Sequence, residues 1–327
     1  MDISKVAVSV IIPVFNTEQY FDRTIGAVAN QTLKNIEILV VNDCSLGNIE
    51  SMINEYINLD SRIKYYKTPK NVGVGGARNL GLQHATGEYV MFCDSDDWLD
   101  LCTLEAMYHA GNRENADIVN CSFYRDYNNG GKKWDCYYST DYVVNGQTAL
   151  KMLAHQYDYG VELCVSTTNK IYRHQLIQNI SFMENVCYEE ALFNFCAIQK
   201  SAIVAFIKTG KYTYYKRLGS NLQSMTMKHI DDYNKVFSRI KVLIDMDGKS
   251  KVSKHTFIAY AEYFMNIIIE QIYESQEGEE VRKRYIMSLL KVFDSLVSLE
   301  DYIDFLGIER FRWNLQPIMM HNGERLL

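Results

Sequence analysis

Thr86-Gly87-Glu88-Tyr89-Val90-Met91-Phe92-Cys93-Asp94-Ser95-Asp96-Asp97-Trp98-Leu99 decides the reading of this chain. An apolar β-type stretch, Tyr89 to Cys93, stops in three carboxylates within four positions. Folded into a core, such charges are costly unless a positive partner meets them. Hard cations such as Mg²⁺ and Mn²⁺ are suited to that place, because they take carboxylate oxygens and share their other positions with water and phosphates. In an extended segment Asp94 and Asp96 project from one face and Asp97 from the other, which makes two convergent carboxylates and one spare. The bland alternative is a helix start, with Ser95 or Asp96 capping a helix from Trp98 and Asp97 favoured by its dipole.

Outward from this run, strand alternates with helix. Val8-Ser-Val-Ile-Ile12 is a near-continuous β-branched run of the kind buried in parallel sheets, and Pro13 to Asn16 turns off its end. Glu18 to Gln31 has helical periodicity, Ile36 to Val41 is a second strand ending in Asn42-Asp43, and Ile49 to Ile57 is a helix. Ile63 to Lys67 is a short strand, and Asn71 to Asn79 opens the helix that feeds the aspartate-bearing strand. This pattern is doubly wound α/β, whose ligands sit beyond the carboxyl ends of the strands. Pro13, Asp43 and Asp94 all lie at such ends and should line one crevice. Asp117 to Val144 is β-like and tyrosine-rich, with Asn128 to Gly131 as a hairpin turn. Helices resume at Gln147 to Ala154 and Ala191 to Ile198. Beyond residue 226 the pattern is wholly helical, and Phe257, Tyr260, Ala261, Phe264, Ile267 and Ile268 mark one helix face.

The chain has 327 residues and a net charge of −6, which gives no basic field for nucleic acid. Its opening apolar run lacks a basic start and is broken by Pro13, and no stretch approaches the ~20 apolar residues of a membrane span. Eight cysteines show no zinc or C-x-x-C spacing and read as reduced thiols of a cytosolic protein.

Four segments together resemble the inverting glycosyltransferases of family 2, of the bacterial surface-polysaccharide type: Val8 to Asn16, Glu37 to Asp43, Asn71 to Gly81 and Gly87 to Asp97. The likeness is strong over residues 6–100. It continues more loosely through Asn169-Lys-Ile-Tyr172, Tyr188-Glu-Glu-Ala-Leu-Phe193 and Tyr214 to Ser220. It implies a GT-A, Rossmann-like doubly wound mixed sheet over residues 1–225, with an all-helical extension over 226–327. It implies that Asp43 hydrogen-bonds the uracil of a UDP-sugar, flanked by Pro13, Val14 and Phe15. It places Asn71, Arg78, Ser95 and Arg217 around the donor, with Arg78 assisting at the diphosphate or donor sugar; the bland alternative for Arg78 is a structural salt bridge. Asp94 would reach the ribose or the metal shell, and Asp96 would bind Mn²⁺ or Mg²⁺ directly in a DXD motif.

Inversion needs a carboxylate opposite the leaving group. The resemblance puts Glu189-Glu190 where the family has Glu-Asp, so Glu190 inherits the role of base with one extra methylene, and Glu189 is its neighbour. The bland alternative is a solvated first turn of a helix. Asn42 replaces the first Asp of a customary pair, and Cys44 and Gly47 replace a Gly and an Asp. The expected acceptor is a glycan (capsule, lipo-oligosaccharide, O-antigen or teichoic acid) on a lipid carrier at the inner membrane face. The C-terminal helices, with ten Lys/Arg and twelve Asp/Glu from Gly248 onward, suit packing or homo-oligomerisation better than anionic lipid.

Rival classes fit less well. Gly73-x-Gly75 lacks the third small residue of a dinucleotide fingerprint, and no P-loop string is present. A metal-dependent nucleotidyltransferase would share the aspartates without needing Glu189-Glu190. A degenerate nucleotide-sugar-binding subunit would explain Asn42 and Glu190, against the intact Asp43, Asp94, Asp96 and Arg78.

Overall fold

A computed structural model describes residues 5–127, 131–155, 163–216, 225–246 and 251–306, with the backbone alone for 132 and 251–253. The chain divides into two compact units, residues 1–153 with 157–220, and residues 154–156 with 221–327.

In the first unit β1 (Val8–Val14), β2 (Ile36–Asn42), β3 (Ile63–Lys67) and β4 (Tyr89–Phe92) alternate with α1 (Glu18–Ala29), α2 (Ile49–Leu59) and α3 (Gly73–His84). There follow β5 (Trp98–Leu99), α4 (Thr103–Glu114), β6 (Ile118–Tyr127), β7 (Lys132–Cys136), β8 (Tyr142–Asn145), α5 (Gly146–Leu153), β9 (Lys170–Arg173), α6 (His174–Ile177), α7 (Glu189–Lys200) and β10 (Ile203–Lys216). Among the described residues these strands make one sheet in the order β3-β2-β1-β4-β9-β6-β10-β5, with β7 on β6 and β8 on β10. The β3-β2-β1-β4 pairs and the β6-β10 pair are parallel. β9 runs antiparallel between β4 and β6. The doubly wound mixed sheet expected from the sequence is the fold the chain adopts.

Every residue of β1 and β2 is buried, as in a parallel sheet covered on both faces. Two residues unusual in such strands have physical explanations. Pro13 does not turn off the end of β1 but sits inside it, opposite Val41. Val14 O accepts from Asp43 N on the β2 side, so the Pro13 nitrogen points to the β4 side, where pairing has ended at Ile11–Phe92. No ladder bond is lost there. Glu37 is buried on β2 and is met by Ser9 Oγ at 2.6 Å, Lys64 Nζ at 2.8 Å and Thr86 N at 2.7 Å. Burial pushes its carboxyl up, but these donors more than offset that and hold it below the usual range.

The second unit carries α8 (Met227–Met246), α9 (Lys251–Glu274), α10 (Glu279–Leu296) and α11 (Leu299–Leu306). The apolar stripes of α8 and α9 pack around Phe237, whose ring meets Tyr233, Phe257, Tyr260 and Phe264. The expected α9 face is buried except for half-buried Ile267. No described helix is long and apolar enough to cross a membrane.

Candidate active site

The carboxyl ends of β1 and β2 are laced together. Beyond β1, Asn16 takes a left-handed conformation (φ 52°), and so does Cys44 beyond Asp43 (φ 62°). Asn16 N donates to Ser45 Oγ at 3.1 Å and Leu46 N to Asn16 Oδ1 at 2.9 Å. Asp43 is buried, and its Oδ1 accepts from Thr68 Oγ1 (2.7 Å) and Val72 N (2.9 Å). No described residue bonds its Oδ2. Exposed Asn71 donates from Nδ2 to Asp43 O at 3.2 Å. Of the three residues expected to flank a base, Pro13 and Val14 are buried and only Phe15 presents an exposed ring. Asn42 serves the turn itself, accepting from Ser45 N at 2.8 Å and donating to Tyr65 Oη at 3.1 Å.

The carboxylates after β4 are not extended, and this corrects the alternating pattern expected for them. Asp97 N donates back to Asp94 O at 3.1 Å, closing a tight turn over Ser95-Asp96. No helix starts at Trp98 either; that residue is in β5, and α4 begins at Thr103. The turn is held from several sides. Ser95, expected at the donor, is buried with its hydroxyl 2.8 Å from Thr17 Oγ1. Thr24 Oγ1 donates to Ser95 O at 3.0 Å and Asp97 O at 2.7 Å. Arg23 donates to Asp96 O at 2.6 Å and lies over the rings of Trp98 (4.0 Å) and Tyr215 (4.5 Å). Asp97 is no spare. It is fully buried, accepting from Tyr215 N at 2.8 Å, with Tyr212 Oη 2.5 Å from its Oδ2. Burial, then the charges of Asp96 and Asp94, push its carboxyl well above the usual range. Tyr212 Oη also accepts from Asp94 N at 3.1 Å.

Arg78, in α3, crosses the site. Its Nη2 donates to Asp94 Oδ1 at 2.8 Å and its Nη1 to Glu189 Oε1 at 2.6 Å, with the side chain 3% exposed. Burial opposes its charge, but Asp94, Glu189 and Glu190 outweigh that and keep it ionised. The helix must come very close for this. A Cβ on Gly75 would collide with Met183 O and approach Glu189 Cγ at 3.2 Å, and Gly73 needs its φ of +76°. Glu189 and Glu190 open α7 but are not a solvated first turn. Glu189 is buried and Glu190 half-buried. No described residue hydrogen-bonds or ion-pairs with the Glu190 carboxylate. Burial first, then the Glu189 charge, pushes Glu190 up to about 8. Burial pushes Glu189 up as well, against the pull of Arg78.

Sequence reasoning missed Thr68, Thr24, Arg23 and Tyr212, all of which act from remote elements. It also missed Lys170, a buried ammonium satisfied by Cys164 O (2.7 Å), Ser166 O (2.6 Å) and Asn169 Oδ1 (2.8 Å). The helical spacing of Glu190 and Asn194 is a usable signal, because Asn194 ties the same face of α7 to Val165 O at 2.6 Å. Arg217, the remaining expected donor residue, lies outside the described residues.

No group of three or more His, Cys, Asp or Glu side chains converges as a metal site among the described residues. With Asp97 committed to tyrosines, the donor set is Asp94, 31% exposed, and half-buried Asp96. Two carboxylates at a solvent-facing turn fit a hard cation that takes its other ligands from phosphate and water.

Residues 9–181 match the family model described as Glycosyl transferase family 2. The chain belongs to that family and is a glycosyltransferase. A cholesterol galactosyltransferase of Borreliella burgdorferi is 28% identical over 92% of this chain and 86% of its own length. A putative glycosyltransferase of Bacillus subtilis, EpsH, is 32% identical over 68% of this chain and 64% of its own length. In structure, TarS 1-349 of S. aureus in complex with UDP-GlcNAc matches at a TM-score of 0.60 and 22% identity, over 92% of this chain and 78% of that one. That likeness shows the fold.

Proposed function

We propose that the protein is an inverting glycosyltransferase that moves a hexose or N-acetylhexosamine from a UDP-sugar to a sugar hydroxyl of a growing surface glycan. The observation that carries this reading is Glu190. Its carboxyl has a raised proton affinity, has no hydrogen-bond or ion-pair partner among the described residues, and sits within the field of the Arg78 that binds Asp94. In direct displacement the acceptor oxygen bonds to the sugar's anomeric carbon as the bond from that carbon to the diphosphate breaks. Glu190 takes the acceptor's proton on the opposite side. The unbonded Oδ2 of Asp43 would accept from the uracil ring N–H, with Phe15 against the base and Asn71 beside it. Asp94 and Asp96 would hold Mn²⁺ or Mg²⁺, which supplies positive charge to the departing diphosphate.

The UDP-GlcNAc complex of TarS and the galactosyltransferase relative support a hexosyl donor on uridine diphosphate. The acceptor belongs on a lipid carrier at the cytoplasmic face of the membrane, and the helices after residue 226 suit self-association. UDP release from UDP-GlcNAc, UDP-glucose or UDP-galactose with Mn²⁺, lost in Glu190→Gln, is the expected result. Saturating UDP should raise the melting temperature, since a ligand at 100 times its Kd adds about 2.7 kcal/mol. A melting curve that no uridine nucleotide moves refutes the donor assignment.

A further inference from the structure

Two acidic residues open α7, and only one is placed to take a proton. Successive helix residues point about 100° apart, so Glu189 and Glu190 cannot serve one spot. Glu189 Oε1 lies 2.6 Å from Arg78 Nη1, and protonating that carboxylate would break a buried ion pair. The other arm of the same guanidinium holds Asp94. One cation thus ties the donor side of the site to the helix that carries the base.

Farther along, Phe193 stacks on Phe182 and Asn194 accepts from Tyr172 Oη, but the first residue of the helix is not capped by a side chain. Its N-cap, Tyr188, makes no side-chain capping bond and has a left-handed backbone (φ 63°, ψ 23°), strained for a bulky residue. Such a conformation persists only where its surroundings enforce it. The packing of Gly75 against Met183 and Glu189, and the rings of Phe182 and Phe92 beside the guanidinium, keep Arg78 in place.

We propose that Glu189 is a positioning residue: through Arg78 it fixes the start of α7, and with it Glu190, relative to Asp94. This rests on Glu190 being the base. Glutamine and alanine substitutions separate positioning from proton transfer. Glutamine keeps an oxygen that accepts from Arg78 Nη1 but cannot act as a base, whereas alanine keeps neither function.

The test follows hydrolysis by the full chain of whichever of UDP-GlcNAc, UDP-galactose, UDP-glucose and GDP-mannose the wild type turns over fastest. We expect Glu189→Gln to stay within about tenfold of wild-type kcat and Glu189→Ala to fall about 10²-fold, the cost of a misplacement near 1 Å. Donor KM should move less than threefold in both. Arg78→Lys combined with Glu189→Ala should be no worse than the poorer single variant, because both break one brace. Equal losses for glutamine and alanine would make Glu189 the proton acceptor and overturn the proposal. An unchanged kcat in Glu189→Ala would overturn it too, even if the melting temperature fell. Glu190→Gln distinguishes the underlying reading: if that variant keeps wild-type kcat, the base has been misassigned, whatever Glu189 does.

Discussion

The turn at Asp94–Asp97 and the start of α7 face each other across Arg78 and are built on opposite principles. In the turn, Thr24, Arg23, Tyr212 and Tyr215 each satisfy a backbone or carboxyl group, and Thr17 meets the Ser95 hydroxyl. At the helix start, among the described residues, there is the ion pair of Glu189 with Arg78, no side-chain cap, a strained Tyr188 and a Glu190 without a bonding partner. Asp97 and Glu190 make the contrast sharpest, since burial raises the proton affinity of both. Asp97 is enclosed by two donors and can only hold shape. Glu190 has no such partner among the described residues, which suits the role of base proposed for it. A bonded carboxyl makes a scaffold, and an unbonded one makes a reagent.

The largest effect that can break this comparison is at Glu190. Glu190→Gln should lower the rate of sugar transfer or hydrolysis about 10³-fold while UDP still raises the melting temperature. The pH dependence has a definite sign. A carboxyl raised to about 8 in the folded protein binds its proton more tightly there than in the unfolded chain. The stability it contributes is therefore complete below the ordinary glutamate range and is lost as pH rises to about 8. Activity should rise over the same interval, as the base ionises. Urea melts at several pH values should show that slope in the wild type and a flatter one in the glutamine variant. Equal slopes would mean that Glu190 is not the group titrating.

Asp97 should respond in the other currency, stability. Asp97→Ala strands the Tyr215 N–H and the Tyr212 hydroxyl in a dry core, a loss of about 3 kcal/mol by urea unfolding. Asp97→Asn keeps an oxygen for Tyr215 N and can donate from its amide nitrogen to Tyr212 Oη, leaving only the tyrosine proton without its acceptor, and should lose less, about 1 kcal/mol. If alanine unfolded the protein no more than asparagine, the turn would not depend on those bonds.

Much of this contrast was hidden in the sequence, for a physical reason. Local patterns reported the buried β1 and β2, the alternation of strand and helix, and the strand ends that lead into Asp43 and Asp94. Those signals act over a few residues. Asp97 looked spare because its partners, Tyr212 and Tyr215, are over a hundred positions away on β10. β9, four residues inserted antiparallel between β4 and β6, has no periodicity long enough to read. Glu189-Glu190 was visible as a pair, but its division into an ion-paired and an unpaired carboxylate needed the placement of Arg78.

A smaller effect is expected at Arg23, which grips the turn from outside. Arg23→Ala removes a hydrogen bond to Asp96 O and two ring contacts at an exposed position, about 1 kcal/mol together. Because the backbone it holds carries Asp96, UDP affinity measured with Mn²⁺ should weaken about threefold, in proportion to a fraction of that energy. Arg23→Lys should recover little, since an ammonium does not stack as a planar guanidinium does. Full recovery by lysine would show that charge alone, and not the ring contacts, secures the turn.

The smallest effect on UDP affinity is expected at Asn42, the departure from the family's usual pair of aspartates. Its side chain accepts from Ser45 N and donates to Tyr65 Oη, so it shapes the loop after β2 while the neighbouring Asp43 keeps Oδ2 clear. In Asn42→Asp the new carboxylate still accepts from Ser45 N, and the Tyr65 hydroxyl can turn to donate in its place. UDP affinity should move by less than about 0.5 kcal/mol, because Asp43 keeps its bonds, while stability should fall, because a second carboxylate is buried beside Asp43. A tenfold gain in UDP affinity would show instead that position 42 bonds the nucleotide directly. The boundary between residues that hold shape and residues that meet substrate would then run on the other side of it.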